Sequence, residues 1–132
     1  MQLDLFAASD LAQLQEELFE AYFACRRNKR NTPSALAFER HFESRIFSLA
    51  DEMFDGRWRP QPSTAFIVSK PVKREVFAAQ FVDRVVHHWL MMKLERHFEG
   101  LFIEDSFACR SGKGTLFGIR RLESFIRAAS KE

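Results

Sequence analysis

Two clusters of cationic residues have the types and spacing best suited to chemistry, and the chemistry they suit is phosphate binding. The first cluster is residues 70–74 (KPVKR) and the second is residues 110–114 (RSGKG). Lys70 and Arg74 lie four residues apart across a predicted turn, and an arginine can grip a phosphate through two parallel hydrogen bonds. A hairpin tip is also often charged for solubility alone, so both interpretations of the first cluster stay open.

The second cluster belongs to a glycine-rich loop that leads into a helix predicted to begin at Thr115. It does not fit the P-loop pattern, which needs a glycine where this chain has Phe107 and a serine or threonine where it has Gly114. Backbone N–H groups beside Arg110 and Lys113, at the start of a helix, suit a phosphate in general. A solvated glycine loop explains the same residues equally well.

The side chains that could catalyse a reaction are scattered along the chain. Two-metal chemistry needs grouped carboxylates, and the four candidates have no ligand partners at suitable spacing: Asp51, Asp55, Glu104 and Asp105. The histidines lack the spacing of zinc ligands: His41, His87, His88 and His97. Neither Ser106 nor Cys109 has a nearby base. The sequence therefore predicts no catalytic residue and no metal site.

The charge of the chain is nearly balanced but unevenly placed. Its 132 residues carry 20 Lys and Arg against 18 Asp and Glu, a net charge of +2. Four of the five residues 26–30 are basic, and residues 57–74 contain five cations and no acid. This asymmetry predicts a basic face suited to polyanions rather than membranes. Since the sequence shows no signal peptide and no run of about 20 apolar residues, we expect a cytoplasmic protein with both cysteines reduced.

The elements that must position these residues are helices and one hairpin. Apolar residues recur every three or four positions in four predicted helices, over residues 10–26, from Pro33 to Gly56, from about residue 81 to Gly100, and from Thr115 onward. Residues 64–69 and 74–79 predict two antiparallel strands with the basic residues at their turn. We expect one mostly helical α+β domain over residues 1–132.

The predicted apolar faces identify the core. They consist of Leu11, Leu14, Leu18, Tyr22 and Cys25 in the first helix; Phe38, Phe42, Ile46, Leu49 and Met53 in the second; Val82, Val86, Trp89, Leu90, Leu94 and Phe98 in the third; and Ile119, Leu122, Phe125 or Ile126, and Ala129 in the fourth. Asp83 suits the positive end of the third helix, and Arg84 suits a pair with a carboxylate. Both are predicted to be structural.

Taken in order, these segments resemble the N-terminal fingers region of bacterial reverse transcriptases of the group II intron and diversity-generating retroelement kind. The resemblance covers about residues 20–128, and its most specific pieces are residues 83–88 (DRVVHH) and 105–115 (DSFACRSGKGT). It implies that Lys70 and Arg74 on the fingers hairpin contact the triphosphate of the incoming nucleotide. Arg110 and Lys113 would lie near the template or the nucleotide.

The resemblance also implies partners: an RNA template, a DNA primer and a deoxynucleoside triphosphate, with no membrane. Six further cations would follow the template backbone without base specificity: Arg26, Arg27, Lys29, Arg30, Arg57 and Arg59. The family holds its Mg²⁺ ions through palm aspartates, and nothing in this chain matches a Tyr/Phe-x-Asp-Asp turn. We therefore expect a fragment of a longer polymerase that is not catalytic alone, and that could dimerise through the surface that would face the palm.

A second function class explains the same patterns. In it, the helices form a small module that binds nucleic acid or protein without polymerase activity. A standalone nuclease or transferase is disfavoured because such an enzyme would need grouped carboxylates.

Overall fold

The computed structural model describes residues 10–27 and 32–130. These residues form five α-helices and one two-stranded antiparallel sheet, in the order α1 (Leu11–Arg26), α2 (Pro33–Glu39), α3 (Phe42–Phe54), β1 (Thr64–Val68), β2 (Arg74–Ala78), α4 (Phe81–Phe98) and α5 (Thr115–Ser130). The predicted mostly helical α+β fold with a single hairpin is confirmed. The chain divides into two compact units, Met1–Leu94 and Glu95–Glu132. The single domain predicted for residues 1–132 stays a prediction.

Local capping explains where three of the helices begin or end. The Asp10 carboxylate accepts the N–H of Gln13 at 2.8 Å at the start of α1. The Thr32 hydroxyl accepts the N–H of Ala35 at 3.3 Å ahead of Pro33, in the first turn of α2. After α3, Gly56 has a φ of +68°, the left-handed conformation that glycine adopts without strain. The first two contacts lie at the helix starts that the sequence predicted, residue 10 and Pro33, and the third lies at the predicted end, Gly56.

The core of the first unit is built on aromatic contacts from four helices. Tyr22 of α1 stacks on Phe42 of α3 with ring centroids 4.9 Å apart. It also meets Phe81, the first residue of α4, edge to face. Phe38 of α2 closes the group, with its ring 5.3 Å from that of Phe81. The predicted face of α1 is confirmed: its buried residues are Leu14, Leu18, Ala21, Tyr22 and Cys25.

The second predicted helix is two helices in the structure. His41 leaves the helical torsions, with φ −138° and ψ 40°, and separates α2 from α3. Its carbonyl then accepts the N–H of Arg45 at 3.0 Å and the hydroxyl of Ser44 at 3.1 Å. The expectation of one continuous helix was wrong because α3 starts afresh at His41, where the sequence has neither proline nor glycine.

The buried face of α4 differs in part from the predicted one. Phe81, Val85 and Trp89, four residues apart, are buried together with Val86 and Asp83. Val82 and Leu90 are only partly buried, and Phe98 is 42% exposed. The prediction omitted Phe81. This residue packs against Tyr22 and Phe38 and so determines which side of α4 faces the core.

The second unit contains α5, and none of the residues of this helix is buried. Phe107 packs beside Phe117 of α5, with ring centroids 5.7 Å apart. A Cβ at Gly118 would lie 3.2 Å from the Phe107 ring, so glycine allows the ring to sit against the helix. The predicted apolar face of α5 is therefore present but exposed, with Ile119 at 48% and Leu122 at 58%.

Candidate functional site

The two faces of the hairpin differ in how exposed they are. The register pairs Val68 with Arg74, Phe66 with Val76 and Thr64 with Ala78 on one face, and Ile67 with Glu75 and Ala65 with Phe77 on the other. On the first face, Val68, Val76 and Ala78 are partly covered. The second face is exposed at every position, including Ile67 at 62% and Phe77 at 66%. Arg74 therefore projects from the partly covered face.

The basic tip, defined as Lys70, Lys73 and Arg74, carries cations with no counterion. All three side chains are exposed, and none forms a hydrogen bond or ion pair with the rest of the described chain. Lys70 lies in the loop between the strands, and Arg74 is the first residue of β2. Uncompensated positive charge concentrated on a protruding loop attracts anions, and an arginine beside lysines suits phosphate.

Two adjacent residues of α4 fix the segments on either side of the hairpin. The Asp83 carboxylate accepts the N–H of Gln61, ahead of β1, at 3.0 Å. Arg84 donates its Nε–H to the carbonyl of Ala79, just after β2, at 3.0 Å. Gln80 adds two bonds, donating to the Pro62 carbonyl at 3.3 Å and to the Thr64 hydroxyl at 3.2 Å. Arg84 thus bonds a backbone carbonyl and not the carboxylate predicted for it, and the structural role of Asp83 and Arg84 stays a prediction.

Asp83 is 2% exposed, and only one of its carboxylate oxygens has a partner. Oδ1 is buried and accepts no hydrogen bond from any described residue. A buried carboxylate with one open oxygen is costly to hold in place. The bond from the Gln61 N–H is the hydrogen bond that offsets part of the cost of burying the Asp83 carboxylate.

Gln61 and Gln80 were missed by the sequence analysis. Asp83 bonds the backbone of Gln61 across 22 positions, and Gln80 reaches Pro62 and Thr64 across 18 and 16. No local pattern marks such long-range partners. A polar residue directly before a buried helix start is the one sequence feature that Gln80 offers.

The predicted template-binding residues near α1 lie in different environments. Arg26 forms an ion pair with Glu39 of α2, and both side chains are about one-third exposed. Arg27 is exposed at the end of α1. Lys29 and Arg30 lie outside the described residues.

The cations after α3 are held by nearby groups. Arg57 pairs with Asp55 at 2.8 Å, and this hydrogen bond raises the pKa of the Arg57 guanidinium above its usual value. Arg59 donates through Nη1 to the carbonyls of Gly56 at 2.9 Å and Trp58 at 2.7 Å. Both side chains are exposed, so both keep a charged surface toward solvent.

In the second unit, the two cations of the glycine-rich loop, Arg110 and Lys113, form hydrogen bonds with nearby residues of the same unit. Arg110 forms a two-pronged pair with Glu99, with Nη2 2.6 Å from Oε1, and donates to the carbonyls of Ile103 and Ser106. Its side chain is only 9% exposed. Lys113 donates to the carbonyl of Glu104. The hydrogen bond from Arg110 holds the pKa of the Glu99 carboxyl below its ordinary value.

The predicted phosphate sites thus differ in how available their cations are. The basic tip is open, whereas Arg110 already satisfies a carboxylate and two carbonyls. In the described ranges, no three His, Cys, Asp or Glu side chains come close enough together to hold a metal ion. No helix in the same ranges is long and apolar enough to cross a membrane.

Neither a protein-family model nor a curated protein sequence matches this chain.

Proposed function

We propose that this chain is the fingers portion of an RNA-directed DNA polymerase, in which the basic tip binds the triphosphate of the incoming deoxynucleotide. One observation carries the proposal: Lys70 and Arg74 are exposed, lack counterions in the described chain, and stand on a hairpin whose two ends are tied to α4. The order of the sequence motifs that resemble reverse transcriptases supports it.

In this proposal the chain positions the nucleotide and does not itself catalyse. Lys70 and Arg74 neutralise the triphosphate. Positive side chains placed beside the reacting phosphates stabilise the negative charge of the transition state and so lower its energy. As the resemblance implies, the Mg²⁺ ions of the reaction would be held by palm residues outside this chain. The bonds of Asp83 and Arg84 to the segments that flank the hairpin would help to position these cations.

The RNA template is proposed to follow the exposed cations Arg27, Arg57 and Arg59, with Lys29 and Arg30 as further contacts. These are backbone contacts without base specificity. Arg26 and Arg110 are the least available of the proposed template contacts, because binding to the template would compete with their ion pairs to Glu39 and Glu99. A DNA primer, a cytoplasmic location and the larger polymerase belong to the same proposal.

The exposed face of α5 is proposed to meet the palm in the larger protein, and two copies of the chain to associate through it when it is uncovered. Leu116, Ile119, Leu122 and Ile126 are each about half exposed or more. Apolar patches of this kind mark contact surfaces. The same face favours the alternative function, a helical interaction module without polymerase activity.

Nucleotide binding by the 132-residue chain tests the proposal. Binding of dTTP, dTMP and inorganic triphosphate is measured by isothermal titration at low salt. A triphosphate site at the basic tip predicts that dTTP and triphosphate compete and that both bind at least about tenfold more tightly than dTMP, because two cations meet three phosphates instead of one. Equal affinity for dTMP and dTTP would contradict the proposal and favour the interaction module.

A further inference from the structure

The first unit contains an open cavity of about 640 Å³ away from the basic tip. Its walls come from the end of α3, the segment that follows α3, the middle of α4, and Leu14 of α1. Small-molecule sites typically enclose about 300–1,000 Å³, so the cavity is large enough for a ligand of two fused rings.

The walls are mainly apolar and include three aromatic side chains. Phe54, Trp58 and Trp89 line the cavity together with aliphatic side chains. Trp89 is 5% exposed and its indole N–H donates to Glu17 at 2.8 Å, which fixes the ring. Phe54, by contrast, is 54% exposed. Flat apolar walls of this kind favour planar aromatic ligands through offset or edge contacts.

Arg59 lines the cavity and has a guanidinium group already oriented by hydrogen bonds, so it could bind an anion there. Its Nη1 is fixed by the carbonyls of Gly56 and Trp58, so its guanidinium is already oriented. Nε and Nη2, which together form one edge of the guanidinium, bond to no other part of the described chain. Two parallel donors on one edge match a carboxylate or phosphate.

The remaining ionisable group on the cavity wall is also basic. Arg59 and His87 line the cavity, and no carboxylate does. From these observations we infer that the cavity binds a planar aromatic anion, with the rings between Trp58 and Trp89 and the acid group on the open edge of Arg59. The inference concerns a site separate from the basic tip and does not rest on the proposed function.

The two tryptophans of the chain both line this cavity, which makes a direct test available. The ¹⁵N-labelled chain is titrated with 2-naphthoate and with 2-naphthamide, which has the same shape and no charge. The indole N–H signals of Trp58 and Trp89 are followed and assigned with a Trp58→Phe variant. We expect both signals to shift, with naphthoate binding at least about tenfold more tightly than the amide, because a charge-assisted two-pronged contact exceeds a neutral one.

Two neighbouring arginines provide matched variants. Arg59→Gln removes the proposed contact and should make the two ligands bind equally. Arg57→Gln removes the same charge two residues away, at a side chain that pairs with Asp55 and does not line the cavity, and should keep the preference. Unshifted indole signals, a preference that survives Arg59→Gln, or an equal loss in Arg57→Gln would each overturn the inference.

Discussion

The Asp83 carboxylate accepts the backbone N–H of Gln61 at 3.0 Å and so ties the first turn of α4 to the segment that enters the hairpin. The next residue, Arg84, ties α4 to the segment that leaves it. Two neighbouring side chains on one helix therefore hold both ends of the hairpin. With the bonds that Gln80 makes to Pro62 and Thr64, they join α4 to the segments that carry the basic tip.

Replacing Asp83 with alanine should destabilise the first unit. The change removes a hydrogen bond to a charged acceptor and leaves the Gln61 N–H without its partner, which predicts a loss of about 1–3 kcal/mol in the free energy of unfolding. The measurement is urea unfolding followed by circular dichroism. Amide exchange at Gln61 should also accelerate, since its bond to Asp83 is the protection that the structure shows.

Asp51→Ala is the control for this experiment because Asp51 is an exposed aspartate on α3. Its effect should stay within about 0.5 kcal/mol, as is usual for surface positions. If Asp83→Ala lowers the free energy of unfolding no more than the control does, the hydrogen bond between Asp83 and Gln61 does not stabilise the first unit.

The Glu17 carboxylate predicts a pH dependence of stability. Burial acts to raise its pKa, but hydrogen bonds from Lys93, Trp89 and Gln13 outweigh burial and hold the pKa below its ordinary value of 4.5. A carboxyl whose pKa is lower in the folded state stabilises the fold above the unfolded pKa, and this contribution disappears as the pH falls through the folded value.

Glu17→Gln should therefore cost stability at neutral pH and progressively less below about pH 4.5, where the wild-type carboxylate also becomes protonated. Urea unfolding of both proteins across this pH range measures the difference. Exposed Glu16→Gln serves as the control and should show little cost at any pH. A Glu17→Gln penalty that is constant with pH would contradict the role given to the charge.

The α5 face predicts self-association of the isolated chain. Leu122→Glu combined with Ile126→Glu places two charges on this face and should leave a monomer of about 15.5 kDa in sedimentation equilibrium, where the wild type associates. Both side chains are exposed, so the unfolding free energy should change by only about 0.5 kcal/mol. Ser124→Glu, on the opposite side of the helix, should leave association intact. A monomeric wild type would remove this surface from the account.

Local features of the fold were predictable because their causes lie within a few residues. Capping by Asp10 and Thr32 and the end of α3 at Gly56 each depend on side chains or torsions within one turn. The hairpin was equally clear, since β-branched and aromatic residues flank a proline-containing turn. The break at His41 was not predictable, because no residue there disfavours a helix strongly enough to mark it.

The availability of a charge could not be predicted from the sequence. Lys70 and Arg110 look alike as cations beside a turn. In the structure, Lys70 is exposed to solvent, whereas Arg110 forms an ion pair with Glu99, 11 residues earlier in the sequence. Counterions are brought together by the fold, so spacing alone cannot tell a free cation from a paired one.

The most direct test of the central claim is dTTP affinity in two double variants of equal charge. Lys70→Ala with Arg74→Ala removes the proposed triphosphate contacts, and Arg40→Ala with Arg96→Ala removes two exposed arginines outside the hairpin. If the tip binds the triphosphate, the first variant should weaken dTTP binding by at least about tenfold and the second by less than about twofold. An equal loss in both variants would show that dTTP responds only to net charge and would contradict a nucleotide site at the hairpin.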